Sequence, residues 1–206
     1  TRQYDGYRFT PEKGFTPMFN PFSVLNALAK SRFGDYWFAS GTPTFLVEIL
    51  KKTNFDLREL DGIEVSSASL SDDRANISNP VPMIYQSGYL TIKSFDQRFR
   101  TYTLGFPNEE VKYGFLNFVA PFYTPVASTD TTFYIGKFVH ELETGETEAF
   151  LTRLSCFFAD FPYELNEKTE RHYQVVFYLV FKLMGQFTQA EVRTAIGRAD
   201  AVAVSY

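Results

Sequence analysis

Two acidic side chains near the end of the chain, Glu170 and Asp200, have the type and spacing of a metal-binding pair. Glu170 begins a long amphipathic run that ends near Met184, and Asp200 follows a turn at Gly197. Carboxylate oxygens are the ligands that Mg²⁺ prefers, and Mg²⁺ between carboxylates supports cleavage of phosphodiester bonds. The order helix, strand, turn, strand therefore predicts a Mg²⁺ site in which Asp200 is the main ligand and Glu170 assists it.

Two basic residues, Arg193 and Arg198, flank the same turn, and we predict that they contact phosphate oxygens of a nucleic acid. A complete site of this kind also needs a Glu-x-Lys on a following strand, and none follows Asp200 in these residues. We therefore predict that the chain alone is inactive on DNA. The alternative is structural, because short motifs often arise by chance: Glu170 would be a solvated acid at a helix start, and Asp200 would cap a hairpin.

Composition limits the classes of function. The net charge of −4 argues against a broad nucleic-acid-binding face, unless the charges are segregated. The hydrophobic content of 45% predicts a packed core, and the aromatic content of 18% is interpreted as a Phe-rich core. No Gly-x-x-x-x-Gly-Lys-Ser/Thr loop is present, so the chain is expected to bind ATP negligibly. Calorimetry with Mg-ATP checks this, and micromolar affinity would contradict it.

The single cysteine, Cys156, rules out an intramolecular disulfide and a Cys-rich zinc site. Its apolar neighbours predict that its side chain is buried. No apolar run reaches the length of a membrane span, so we predict a cytoplasmic protein without a membrane partner. The chain lacks an initiator Met, which we interpret as a piece of a longer protein.

Capping and turn residues predict the secondary structure. Asn20-Pro21 and Thr42-Pro43 each open a helix, because Asn or Thr caps it and Pro suits its first turn. Alternating aromatic and polar residues predict a hairpin from Tyr89 to Phe106. Other helices are predicted over 81–88, from Asn108, and over 132–143, 146–159 and 167–184, whereas 54–79 is predicted to be a long connection with one or two helical turns.

The predicted helices carry apolar stripes, and each stripe predicts a buried face. The residues expected to be buried are Phe22, Leu25, Leu28, Phe45, Leu46, Leu50, Phe115, Leu116, Leu151, Leu154, Phe177 and Phe181. The segment from Pro121 to Asp130 is rich in Pro, Ser and Thr, so it predicts a linker. The domain boundary is accordingly predicted between residues 125 and 126.

Four stretches resemble a large group of bacterial proteins that is abundant in gut Bacteroidetes. They are Tyr4-Asp5-Gly6-Tyr7-Arg8-Phe9, Asn20-Pro21-Phe22-Ser23-Val24-Leu25, Tyr36-Trp37-Phe38-Ala39-Ser40-Gly41-Thr42-Pro43-Thr44-Phe45-Leu46 and Tyr85-Gln86-Ser87-Gly88-Tyr89-Leu90-Thr91-Ile92. Proteins of this group carry an N-terminal AAA-ATPase-like domain and a C-terminal PD-(D/E)XK nuclease-like domain.

This resemblance implies that residues 1–125 are the end of the ATPase-like region with a helical and hairpin connector. Residues 126–206 would then begin the nuclease-like domain, with Asp200 as its core acid and Mg²⁺ as its cofactor. The P-loop of the group lies upstream, so ATP would bind only to a preceding domain in cis. A similarity to archaeal Holliday-junction resolvases also supports Glu170 as the helix acid.

The predicted fold is thus a helix-dominated α+β chain: a helical region with a small β-hairpin, followed by an incomplete PD-(D/E)XK-like α/β element. The predicted function is that of one part of an ATPase-coupled nuclease-like protein that acts on DNA. The alternative is a non-catalytic protein–protein interaction module attached to an ATPase. A basic groove leading to Asp200 would favour the nuclease, and a large exposed apolar patch would favour the interaction module.

Overall fold

The computed structural model describes residues 3–12, 15–38, 44–53, 55–70, 79–124, 128–159 and 170–185. Over these ranges the chain is a helix-dominated α+β protein with eight α-helices and one small antiparallel sheet, which confirms the predicted fold class. The strands predicted after α8 lie outside the described residues. The chain divides into two compact units, the first ending at Phe115 and the second beginning at Leu116.

The elements of the first unit are short. They are α1 (Pro21–Lys30), α2 (Thr44–Lys52), one turn of 3-10 helix (Leu57–Glu59), β1 (Ile63–Ser66), α3 (Ser67–Leu70), α4 (Val81–Gln86), β2 (Thr91–Asp96) and β3 (Thr101–Gly105). A longer helix, α5 (Glu109–Tyr123), begins in this unit, and the division between the units falls within it.

The start of α1 follows its predicted cap. The side chain of Asn20 accepts hydrogen bonds from the backbone N–H groups of Phe22 and Ser23, and Pro21 occupies the first turn. These bonds satisfy two of the donors that a helix start leaves free. The helix ends at Ser31, whose φ of 49° is left-handed.

The sheet has the order β1-β3-β2, with both pairs antiparallel. The hairpin β2–β3 confirms the predicted hairpin, but β1 lies in the segment that was predicted to be a long connection. The predicted helical turns are present as the 3-10 turn and α3, but the strand was missed, because β1 has only four residues and of these only Val65 is buried. Its partner β3 lies far along the chain, so local sequence carries little signal for the pairing.

Aromatic rings fill the centre of the first unit. Tyr89 lies 4.8 Å from Trp37 and 5.4 Å from Phe115, and Phe106 lies 5.6 Å from Phe115, between ring centroids. Their tilted and edge-on arrangements are the ones that aromatic pairs prefer. Among the phenylalanines described in this unit, only Phe106 and Phe115 are buried, so the unit has an aromatic centre but not the Phe-rich core that composition predicted.

The second unit contains the end of α5 together with α6 (Ser128–Glu143), α7 (Thr147–Ala159) and α8 (Glu170–Met184). Helix α6 packs against both α7 and α8. The predicted linker from Pro121 to Asp130 is wrong over most of its length, because α5 continues past Pro121 and α6 begins before Asp130. The predicted division into 1–125 and 126–206 concerns evolutionary domains and stays a prediction.

The predicted core is correct only in part. Leu46, Leu50, Phe115 and Leu116 are buried, and Leu154, Phe177 and Phe181 are half-buried. The other five are exposed, which corrects the prediction for Phe22, Leu25, Leu28, Phe45 and Leu151. An apolar stripe shows that a helix has an apolar face, but it does not show that this face packs against the rest of the same unit. Cys156 on α7 is also exposed, contrary to its predicted burial.

Candidate functional site

The structure describes only one of the four residues that were predicted to form the site. Glu170 is the first residue of α8, and its side chain is not described. Asp200, Arg193 and Arg198 lie outside the described residues. Their convergence on one site therefore stays a prediction. Within the described ranges, no group of three or more His, Cys, Asp or Glu side chains is placed to hold a metal ion.

Helix α8 fixes the backbone of Glu170 at the amino end of a well-packed element. Val176 and Leu179 are buried on one side of the helix, which packs against α6. A carboxylate at this end is favoured by the helix dipole, so the structural alternative for Glu170 remains open. Chemically, the carboxylates of Glu170 and Asp200 are the hard oxygen donors that suit Mg²⁺.

A small cavity lies inside the second unit. Its volume is about 10 Å³, and it is lined mainly by apolar side chains from four helices, including Ile135, Phe157 and Leu179. The hydroxyl of Thr124 also lines it and has no hydrogen-bond partner among the described residues. A space of this size holds one water molecule at most, so the cavity does not bind a substrate.

The most completely buried carboxylate in the described residues is Glu110, near the start of α5, with 0% of its surface exposed. Its Oε1 accepts a hydrogen bond of 2.9 Å from the hydroxyl of Ser23 and another of 2.9 Å from the backbone N–H of Trp37. Oε2 has no hydrogen-bond partner among the described residues. The carboxylate of Glu110 thus connects α1 and the segment after it to the start of α5. We call Glu110 with its two donors, Ser23 and Trp37, the clasp.

Burial raises the pKa of Glu110 above its usual value of 4.5, because the charged form loses water. The hydrogen bonds from Trp37 and Ser23 oppose this rise, and the negative charge of Asp35 adds to it. Burial also raises the pKa of Tyr7, and the charge of Glu110 contributes to that rise. Ser23 and Glu110 are both completely buried, so no substrate reaches the hydrogen bond between them and the cluster acts as a structural clasp.

Two of the four stretches that carry the family resemblance meet at this clasp, because they supply Ser23 and Trp37. The backbone N–H of Glu110 donates to the carbonyl of Gln3, and the hydroxyl of Tyr4 bonds both backbone groups of Gly34. The sequence alone indicates only that Glu110 lies in the first turn of the helix that begins at Asn108. Its burial was missed because the adjacent Glu109 has the same local signal and is half-buried.

Replacing Glu110 tests the clasp. Glu110→Ala removes the acceptor of two hydrogen bonds and is expected to lower the free energy of unfolding by about 1–3 kcal/mol. Glu110→Gln keeps an acceptor but does not ionise. Because the folded-state pKa is raised, the stabilising contribution of wild-type Glu110 is largest below pH 4.5 and falls as pH rises through the folded-state pKa.

Urea unfolding between pH 4 and pH 7 measures this effect. Between pH 4 and pH 7 the free energy of unfolding is expected to fall less for Glu110→Gln than for wild type. The control variant Glu109→Gln should show the same pH dependence as wild type. Parallel pH profiles for wild type and Glu110→Gln would show that the carboxylate is not buried in solution.

A second buried carboxylate joins two helices of the second unit. Oε1 of Glu141 on α6 accepts a hydrogen bond of 2.6 Å from Nε of Arg153 on α7 and forms an ion pair of 2.6 Å with its Nη2. Glu141 is buried, so the pair fixes the approach of the two helices. The ion pair therefore stabilises the position of α6, which also packs against α8.

Comparisons with known proteins agree with the prediction for the end of the chain. Residues 168–206 match the model of the PD-(D/E)XK nuclease superfamily, and this range includes Glu170 and Asp200. The chain is 30% identical over 205 residues to a protein of Azotobacter chroococcum mcd 1, described as an uncharacterized protein in the vnfD 5' region. The match covers 96% of this chain and 39% of that protein, so the chain spans about two fifths of its length.

No solved structure matches the chain. None of the helices in the described ranges is both long and apolar enough to cross a bilayer.

Proposed function

We propose that the chain is one part of an ATPase-coupled, PD-(D/E)XK nuclease-like protein that acts on DNA. In this proposal Asp200 and Glu170 hold Mg²⁺, while Arg193 and Arg198 bind phosphate oxygens of the DNA. The chain's own contribution is to place these side chains around the bond that is cleaved. When bound, Mg²⁺ activates water and stabilises the developing charge on the phosphate.

The observation that carries the proposal is the nuclease-superfamily match over residues 168–206. The match includes both acidic residues, which were chosen from their chemistry and spacing and from the family resemblance. The described part of this region, α8, is a well-packed helix that begins at Glu170, as expected for a helix that supplies an acid.

The ATPase coupling rests on weaker support. The four motif stretches resemble proteins with an upstream ATPase-like domain, and the relative from Azotobacter chroococcum mcd 1 is much longer than this chain. Because the net charge is −4, DNA binding requires basic residues to be concentrated near the DNA, and we propose that Arg193 and Arg198, which are near Asp200 in sequence, supply this charge.

A cleavage assay on the longer protein that contains these residues tests the proposal. Supercoiled, linear, branched and single-stranded DNA are incubated with Mg²⁺, with Mn²⁺ or with a chelator, each with and without ATP. Cleavage is expected only with metal and is expected to be faster with ATP. Cleavage that persists in chelator would contradict the metal site, and equal rates with and without ATP would contradict the coupling. The 206-residue chain, assayed in parallel, is expected to be inactive.

The interaction module is the second candidate function, and one observation favours it. Three large apolar side chains on α1, those of Phe22, Leu25 and Leu28, are exposed. Exposed apolar surface on a folded protein often marks a binding surface. Absence of cleavage of every DNA form by the longer protein, with either metal, would favour this candidate over the nuclease.

A further inference from the structure

The turn between β2 and β3 combines positive charge with an exposed aromatic ring. Residues 88–108 contain three cations and one acid, although the whole chain has a net charge of −4. We define the hairpin tip as Arg98, Phe99 and Arg100, all of which are exposed. Cations that contact phosphates, together with an aromatic ring on which a base stacks, are typical of surfaces that bind single-stranded nucleic acid.

The ring of Phe99 is not used to hold the hairpin together. Its side chain is 65% exposed, and the guanidinium carbon of Arg98 lies 5.1 Å from its ring centroid. The rings of Phe95 and Tyr102, which are half-buried, lie 4.6 Å apart and join the two strands instead. Phe99 and Arg98 are therefore placed to contact a molecule in solution.

Hydrogen bonds fix the backbone of the hairpin tip. The carboxylate of Asp96 accepts hydrogen bonds of 2.8 Å and 3.0 Å from the backbone N–H groups of Arg98 and Phe99. The carbonyl of Arg100 accepts from both the backbone N–H and the hydroxyl of Ser67, at the start of α3. Because the tip is already ordered, binding to it costs less conformational entropy.

The backbone of Arg100 is strained. Its φ of 52° is left-handed, and in the described ranges Ser31 is the only other residue besides glycines with a positive φ. Glycine adopts this conformation without strain, whereas a residue with a Cβ does not. Strain of this kind is concentrated at functional sites. A positively charged side chain at a position where the turn itself favours glycine indicates that the side chain has a role.

The helices next to the hairpin in sequence do not share its charge. Helices α3 and α4 contain neither Lys nor Arg. A helix that reads duplex DNA depends on cations that hold the phosphates on either side of the groove. The hairpin tip is thus the better candidate in this part of the chain, and its groups suit phosphates and base faces rather than a particular base sequence.

We propose that the hairpin tip binds single-stranded DNA, with Phe99 stacked on one base and Arg98 and Arg100 paired with neighbouring phosphates. This inference rests on the proposed function for the kind of ligand, but the site is remote in sequence from Glu170 and Asp200. Stacking and phosphate pairing are possible with every base, so binding is expected to depend little on sequence.

Fluorescence anisotropy with a labelled oligonucleotide of about 15 nucleotides tests this in the 206-residue chain. The single strand is expected to bind more tightly than its duplex, and Phe99→Ala is expected to weaken binding by about 5-fold or more. Arg98→Gln with Arg100→Gln removes two phosphate contacts. This pair is expected to reduce the slope of log affinity against log salt concentration by about 1.4.

A second exposed phenylalanine supplies the matched control. Phe133 on α6 is 61% exposed, and the amine of Lys137 lies 4.7 Å from its ring centroid. Phe133→Ala thus removes a similar ring beside a similar cation, and it should bind the single strand as tightly as wild type. Equal weakening by Phe99→Ala and Phe133→Ala would overturn the proposal.

Arg100→Gly separates binding from folding. Relief of the backbone strain is expected to raise the Tm by about 2–4 °C, while loss of the cation weakens binding of the single strand. Weaker binding by a more stable variant does not result from misfolding. A lower Tm with unchanged binding would show that Arg100 has a structural role and would overturn its assignment to the site.

Two further outcomes would overturn the proposal: wild type that binds no single-stranded DNA at low salt, and wild type that binds the duplex more tightly. Cleavage by the longer protein is measured separately. If it cleaves no DNA but the hairpin variants lose binding, the nuclease proposal alone fails. If it cleaves DNA and the hairpin variants bind as wild type does, the hairpin inference alone fails.

Discussion

Replacing Asp200 by Asn is expected to slow Mg²⁺-dependent DNA cleavage by the longer protein by about 100-fold or more. The substitution keeps the size of the side chain and removes its negative charge, so the donor set that we propose for Mg²⁺ loses a strong ligand. Loss of a group that merely orients a metal ligand already costs about 10–100-fold in affinity or activity, and loss of a direct ligand costs more.

Initial rates over a range of Mg²⁺ concentrations measure this effect. The variant is expected to need more Mg²⁺ than wild type, and calorimetry should show weaker metal binding. Glu143→Gln, which neutralises an exposed acid at the end of α6, is the matched control and should cleave at the wild-type rate. A variant of Asp200 that cleaves at the wild-type rate would assign the metal site to other residues.

Replacing Gly6 by Ala is expected to destabilise the first unit by about 3 kcal/mol or more. Gly6 has a φ of +114°. At this φ the backbone of any residue with a Cβ is strained by about 1–3 kcal/mol. An added Cβ would also overlap the carbonyl oxygen of Pro107, so the backbone would have to shift. Overpacking of this kind typically costs a further 1–3 kcal/mol or so.

Substitutions at two other glycines separate backbone strain from steric overlap as causes of the destabilisation. Gly62 has a φ of +106° with open space around its Cβ position, so Gly62→Ala reports backbone strain alone. Gly136 lies within α6 with open space and no positive φ, and Gly136→Ala is expected to stabilise the chain by about 1 kcal/mol. Chemical unfolding of all three measures the differences. Equal losses for Gly6→Ala and Gly62→Ala would show that Gly6 does not approach Pro107 in solution.

Local signals in the sequence account for most of the correct fold predictions. Asn20-Pro21 specifies the start of α1, and the alternation around β2 and β3 specifies a hairpin, because each depends on residues close in sequence. The strand β1 was missed because its partner is remote. The helical segment around Pro121 was mistaken for a linker because tertiary packing can override the low helix propensity of proline.

The direction of a helix face and the burial of a charge are not local properties. The stripe of Phe22, Leu25 and Leu28 predicted a buried face, but α1 turns its polar side inward because Ser23 binds Glu110. Glu109 and Glu110 are indistinguishable in sequence, and only the fold decides which is buried. For the nuclease-like site, sequence chemistry chose Glu170 and Asp200, and both lie in the matched superfamily region.

The first residues of the chain bond to groups that are made much later. The backbone N–H of Arg8 donates to the hydroxyl of Thr91 at 2.6 Å, and the carbonyl of Gln3 accepts from the backbone N–H of Glu110. At a synthesis rate of about 5–20 residues per second, the ribosome needs roughly 5–20 s to add the intervening residues. During that time the backbone groups of Gln3 and Arg8 that make these two bonds have no native partners. The first unit therefore closes late in translation, when the start of α5 has left the exit tunnel and can capture the N-terminal segment.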